Sequence, residues 1–195
     1  MRVDPRVARS RAKTLQSAAE LLIEGGVRAV TMDAIAERSG VSKSTMYRHF
    51  PSRTALVITV LRHGSPNLDI EIPPGNFDDG IRGFVTSLAS SMADPELARL
   101  LPELMSLKNT MPDAHALVQR KRGDLFATVQ TIVDRGTHEG LLPTDTDVAT
   151  TLDLLVGPLV LAVINDETER LTTIADEVSD RYLASCRQLT PTPCT

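Results

Sequence analysis

The stretch GVSKSTMYRHFPSR, residues 40–53, brings together five hydroxyls (Ser42, Ser44, Thr45, Tyr47 and Ser52), three cations (Lys43, Arg48 and Arg53) and the imidazole of His49. Groups of these kinds donate hydrogen bonds to phosphate oxygens and to the edges of bases. Catalysis is the other chemistry they could serve. It needs a nucleophile, a base and a group that orients the base, and no such set is spaced for it here. The four histidines, at 49, 63, 115 and 138, are scattered, and neither His-x-x-x-His nor Cys-x-x-Cys occurs. The reading is therefore not an enzyme, with no metal site and no cofactor.

The elements that must hold these groups are helical. Apolar residues recur at helical spacing in almost every window, and strand signals are nearly absent, so the chain reads as all-α with about nine helices. Two short helices, about 31–38 and 42–48, are joined by a tight turn at Gly40, the pattern of a helix-turn-helix. Thr31 and Ser42 stand at their N-caps. Val41, Met46 and Phe50 are expected to point inward, against Leu15, Leu22 and Ile35. That leaves Ser42, Lys43, Ser44, Thr45, Tyr47, Arg48 and His49 on the other sides, a face suited to a DNA groove. A preceding helix, about 6–24, carries the stripe Ala12, Leu15, Ala19, Leu22 and Ile23 and ends at Gly25–Gly26. A following helix is expected over 53–63. Residues 64–76, with three prolines and two glycines, read as a linker. Helices then resume at about 77–93, 95–109, 112–139, 145–165 and 168–188.

Charge separates the chain into unlike halves. Residues 1–64 carry +6 and residues 65–195 carry −10, within a net charge of −4. A basic segment beside an acidic one suggests that the first faces a polyanion, although chance clustering of surface charge gives the same pattern. No window is long and apolar enough to cross a bilayer, and no secretory signal opens the chain, so a cytoplasmic protein is expected. Cys186 and Cys194 read as free thiols.

Quoted as it stands, TMDAIAERSGVSKSTMYRHFPSRTAL, residues 31–56, resembles the DNA-binding signature of the TetR-family transcriptional regulators. The resemblance is motif-specific over about residues 10–63 and architectural beyond. It implies an all-α homodimer: an N-terminal three-helix helix-turn-helix domain (1–63), a linker (64–76), a larger C-terminal effector-binding and dimerisation domain (77–188) and a flexible tail (189–195). It further implies that Thr31 caps its helix and touches a phosphate of double-stranded DNA. Lys43, Ser44, Thr45 and Arg48 would approach bases or adjoining phosphates, and Tyr47, His49 and Arg53 would lie on phosphates. Ser44 stands where the family often has glycine or another small residue, and Arg48 occupies a variable position, so no operator sequence transfers from a relative. Arg2, Arg6, Arg9 and Arg11 either form a flexible arm toward the DNA or are solvated charge.

In the second half, apolar stripes at about 145–165 and 168–188 mark Leu152, Leu155, Val156, Leu159, Val163, Ile174, Val178 and Tyr182 as candidates for a four-helix dimer interface, with intrachain burial as the alternative. Pro158 is expected to bend its helix near Leu154. Phe84, Leu88, Met92, Leu104, Met105, Leu107, Met111 and Phe126 are candidates for lining a pocket for a small-molecule effector of aliphatic or mixed character, against the alternative that they are core. The functional expectation is a sequence-specific regulator, a repressor released from a palindromic operator by its effector. The alternative is a helical adaptor without specific DNA binding.

Overall fold

The computed structural model describes residues 5–63, 70 and 74–189. Among them every regular element is helical: α1 (Pro5–Ala29), α2 (Met32–Ser39), α3 (Lys43–His49), α4 (Arg53–His63), α5 (Phe77–Met92), α6 (Pro95–Leu107), α7 (Pro112–His138), α8 (Val148–Ile164) and α9 (Leu171–Leu189), with a 3₁₀ turn at Thr168–Arg170. The chain divides into two compact units, residues 1–66 with 99–117 and residues 67–98 with 118–195. Most of the segment read as a linker, together with Arg2 and Cys194, lies outside the described residues.

In the first unit α1 packs against α2, α3 and α4. Helical geometry in α1 breaks at Gly25–Gly26, where Gly26 takes φ 64° and ψ −171°, a conformation that only glycine adopts without strain. The core here holds Leu22, Ile35, Met46, Phe50, Leu56 and Leu61, each no more than 2% exposed. The buried face of α1, however, is Thr14, Ser17, Ala18, Leu21 and Leu22. The stripe read from the sequence is rotated from it: Ala12 is exposed and Leu15, Ala19 and Ile23 are only half-buried. Two polar residues hid the true face. The Thr14 hydroxyl can be buried because it donates back to the Ser10 carbonyl at 2.8 Å. The arginines at 6, 9 and 11 belong to α1 rather than to an arm.

In the second unit α5, α8 and α9 pack on one another. The start of α5 is fixed three ways. Asn76 accepts from the Asp79 N–H at 2.9 Å, Asp79 accepts from the Asn76 N–H at 3.4 Å, and the Glu139 carboxylate accepts from the Phe77 N–H at 3.0 and 3.2 Å. These satisfy donors a helix start leaves open and set negative charge against its positive dipole end. Gly136 of α7 lets Phe77 and Leu142 close in: a Cβ there would sit 2.6 Å from the Phe77 ring and 2.9 Å from Leu142. Ion pairs cross the helices at Arg82–Asp180 (2.6 Å), Arg122–Asp153 (2.6 Å) and Arg187–Asp78 (2.5 Å). The hydrogen bond from Arg122 holds the Asp153 carboxyl below its ordinary range.

α8 is apolar on both its sides, and this decides the fate of the candidate interface residues. Leu152, Leu155, Leu159 and Val163 are 0–4% exposed within the chain itself, so they have no surface left for a partner. Val156, Ile174, Val178 and Tyr182 are half-buried. The Tyr182 hydroxyl shares a 3.0 Å hydrogen bond with Thr151, and burial pushes its pKa up to about 12. Facing outward on α8 are Leu154 (56% exposed), Leu161 (57%) and Ile164 (47%), at helical spacing with exposed Gly157 and Pro158. The helix continues through Pro158. Cys186 is a free, buried thiol. No helix among the described residues is long and apolar enough to cross a membrane.

Candidate nucleic-acid interface

Local chemistry sets each end of the two short helices. Thr31, in extended conformation, accepts from the Ala34 N–H at 3.1 Å and so begins α2. Gly40 ends it in the left-handed region (φ 67°) and donates its N–H to the Ala36 carbonyl at 3.0 Å. A Cβ on Gly40 would meet nothing within 4 Å, so this position demands glycine for its backbone alone. Ser42 then caps α3, accepting from the Thr45 N–H at 3.3 Å.

α3 is seated by Met46 (0% exposed) and Phe50 (2%), with Val41 (9%) before them. Around that seat α1 supplies two further contacts. The guanidinium of Arg11 lies 5.6 Å from the Phe50 ring centroid. Ser10 shares a 3.3 Å hydrogen bond with His49 Nε2. At about 100° per residue, Lys43, Tyr47, Ser44 and Arg48 fall within one arc of about 140°, which begins about 60° from Met46 and runs round to the side opposite it. All four are exposed, and Tyr47 shows 51% of its surface to solvent. An exposed tyrosine flanked by two cations and a serine is a surface that hydrogen-bonds anions and base edges rather than one that packs.

The nine residues singled out in the sequence are thus not equivalent. Four make up the outward arc. Thr31 and Ser42 are caps, and the Ser42 hydroxyl also lies 2.9 Å from that of Thr45. His49 is half-buried against Ser10. The Arg53 guanidinium donates from Nε to the Val30 carbonyl and from one terminal nitrogen to the Val27 carbonyl. Those carbonyls belong to the turn that delivers Thr31, so Arg53 staples α4 to the entry of the helix-turn-helix. Sequence reading missed Ser10 and Arg11 as supports of α3. It also missed Asp33, whose carboxylate pairs with the Lys43 ammonium, and Arg38, which bridges α2 to Glu24 of α1 at 2.7 Å. Hydrogen bonding to Arg38 holds the Glu24 carboxyl below its usual range. These links join residues 10 or more positions apart, and no local pattern announces them.

Of the pocket candidates, Phe84, Leu88 and Met92 are buried in the second unit. Leu104 and Leu107 are buried, and Met105 and Met111 half-buried, in the segment that clusters with the first. Phe126 is 38% exposed.

A capped helix, a glycine turn and a second helix seated by its apolar side, with a basic and hydroxylic arc outward, define a DNA-binding helix-turn-helix protein. Comparison with known proteins agrees. The model of the bacterial regulatory proteins of the tetR family matches residues 15–60, and that of the tetracyclin repressor-like C-terminal domain matches residues 73–182. The chain belongs to the TetR family and is a DNA-binding transcriptional regulator. It is 28% identical over 174 residues to the HTH-type transcriptional regulator YdeS of Bacillus subtilis, covering 87% of this chain and 81% of that one. Among solved structures, Salmonella enterica GusR superposes with a TM-score of 0.73 at 18% identity, covering 95% of this chain and 98% of that chain. The transcriptional regulator FadR of Bacillus subtilis, in complex with stearoyl-CoA, superposes with a TM-score of 0.67 at 16% identity, covering 89% and 97%.

Proposed function

We propose that the chain is a homodimeric repressor that reads a palindromic operator through Lys43, Ser44, Tyr47 and Arg48 and leaves it when a small-molecule effector binds residues 77–188. The observation that carries the DNA-reading part is the arc itself: four exposed donors on one side of α3, clear of its buried seat. Arg48 and Lys43 suit base edges and neighbouring phosphates, and the Tyr47 hydroxyl suits the backbone, which carries no sequence information. Arg48→Ala should relax base preference at fixed positions by about 1–3 kcal/mol. Tyr47→Phe should weaken all sequences alike, by about 0.5–1.5 kcal/mol for one hydrogen bond. Anisotropy titrations on duplexes selected from a random library, and on single-base variants of them, measure both. A change in base preference from Tyr47→Phe would reverse the two roles.

Dimerisation is supported by the outward side of α8. Leu154, Leu161 and Ile164 leave a strip of apolar side chain in solvent, and a cleft of about 410 Å³ beside it is lined by Pro158, Leu161, Ile174 and Val178, with Arg170, Glu177 and Arg181 around them. Mixed charge around an apolar strip lets one copy face a second by two-fold symmetry. The two recognition helices of such a dimer would need to meet successive major grooves, about 34–36 Å apart or a multiple of it. The effector reading is supported by the match of residues 73–182 to the family's C-terminal model. The weakly polar side chains there, with no tryptophan in the chain, suit an aliphatic or mixed molecule.

A further inference from the structure

We propose that Asp33 is a specificity-determining residue that acts through Lys43: its carboxylate holds the lysine ammonium in place and withholds it from DNA of the wrong sequence. This rests on the placement of Lys43 in the DNA-reading arc.

Asp33 stands in the first turn of α2, just after the Thr31 cap, and Lys43 in the first turn of α3, just after the Ser42 cap. Each cap fixes the turn that carries its charged residue. The resulting ion pair spans the two helices of the motif rather than one turn of a single helix. Its members are accessible, with 50% of the Lys43 side chain and 78% of the Asp33 side chain exposed. A pair so exposed adds little to stability, because solvent screens it and two side chains lose freedom to form it. Its consequence lies with the ligand.

A carboxylate at the rim of a surface that meets a polyanion costs binding energy unless a cation answers it. Here the cation is a lysine on the recognition helix itself. While Asp33 holds it, Lys43 presents less free positive charge to any phosphate, which lowers the sequence-independent attraction that supplies non-specific binding. It also restricts the lysine to a few rotamers, so that its remaining N–H donors point one way. A base-edge acceptor in that direction gains a positioned donor, and a misplaced one would require the ion pair to break. Discrimination then comes from penalising the wrong partner as well as rewarding the right one. Glu37, one turn further along α2, is an exposed carboxylate of the same helix and provides the control for charge alone.

The test uses the full chain and two fluorescent duplexes of equal length, one selected from a random library by the wild-type protein and one of unrelated sequence, titrated over a range of salt. Asp33→Asn is expected to tighten binding to the unrelated duplex about threefold to tenfold, as roughly one more cation becomes free for phosphate, and to steepen the salt slope by up to about 0.9. Binding to the selected duplex should gain less, so that the ratio of the two affinities falls. Glu37→Gln should move both affinities alike and leave the ratio in place. In a Lys43→Met background, Asp33→Asn should no longer lower the ratio. Equal tightening of both duplexes by Asp33→Asn would overturn the proposal, as would a fall in the ratio that persists without Lys43. If Lys43→Met alone leaves the selected duplex bound as before, the placement of Lys43 in the reading arc fails, and this inference fails with it. Asp33→Ala, which removes the acceptor altogether, checks that the amide of Asp33→Asn does not keep the lysine in place: its ratio should fall at least as far.

Discussion

Phe50→Ala is expected to abolish operator binding and to cost about 3–5 kcal/mol of stability, the range for truncating a fully buried aromatic. That is a large share of the roughly 5–15 kcal/mol a domain has. The size of the effect follows from how little else holds α3. A helix of seven residues has too few hydrogen bonds to persist by itself. Its place is set by Met46 and Phe50 beneath it, by the Ser42 cap at its start and by Ser10 and Arg11 of α1 at its end. Removing the ring takes away the larger apolar anchor and the surface over which Arg11 lies. Hydrogen exchange should then show the α3 amides losing protection, and urea denaturation should show the lost stability. Phe50→Leu, which keeps an apolar side chain of moderate size, should fall between the two. An unchanged urea midpoint for Phe50→Ala would mean that α3 is held by contacts other than these.

Leu161→Glu is the second change with a large expected effect, and it acts on assembly. Leu161 is 57% exposed in the single chain, at the centre of the outward strip on α8 and on the wall of the adjoining cleft. In a two-fold interface each substitution occurs twice. Placing an unpaired carboxylate at an interface centre costs about 2 kcal/mol or more per copy, so the dimer should weaken by about 4 kcal/mol, roughly a thousandfold. On the proposed dimer, sedimentation velocity should report monomer for this variant at concentrations where the wild type is expected to dimerise. Binding to a full palindrome should fall toward that of a half-site. Leu155→Glu is the contrasting case. Leu155 is 0% exposed in the protomer, so a charge there should unfold the chain instead of splitting a dimer. A Leu161→Glu protein that remains dimeric would move the interface elsewhere.

Much of the architecture was legible in local chemistry. Threonine and serine caps and the glycine at a left-handed position each act within a few residues, and the helix limits expected from them fall close to those observed. Faces were harder to read than limits. On α1 the buried side includes Thr14 and Ser17, and a polar residue that bonds back to its own helix is invisible to a search for apolar period. On α8 the opposite difficulty arises. Both sides are apolar, so periodicity cannot separate the side packed within the chain from the side left outward, and the candidates chosen included four that are core residues. Within the candidate site, residue type identified which groups could meet DNA, and seven of them lie on or next to one short helix. What residue type could not give was their division into outward donors, caps and supports. Arg53 serves the turn at Val27–Val30 and His49 leans on Ser10 because of contacts between segments distant in the chain. No local pattern marks Asp33 as the partner of Lys43, because their pairing is a property of how α2 and α3 meet.

The central claim is that the outward arc of α3 lies against the DNA. Photo-crosslinking tests it most directly, with a benzophenone side chain placed singly at Ser44, at Arg48 and, as an exposed control on α9 of the other unit, at Asp180, in the presence of a duplex selected by the wild-type chain. The account predicts crosslinks to the duplex from positions 44 and 48 that disappear at high salt, and none from position 180. Crosslinking from position 180 with silence at 44 and 48, in variants that still bind the duplex, would contradict it.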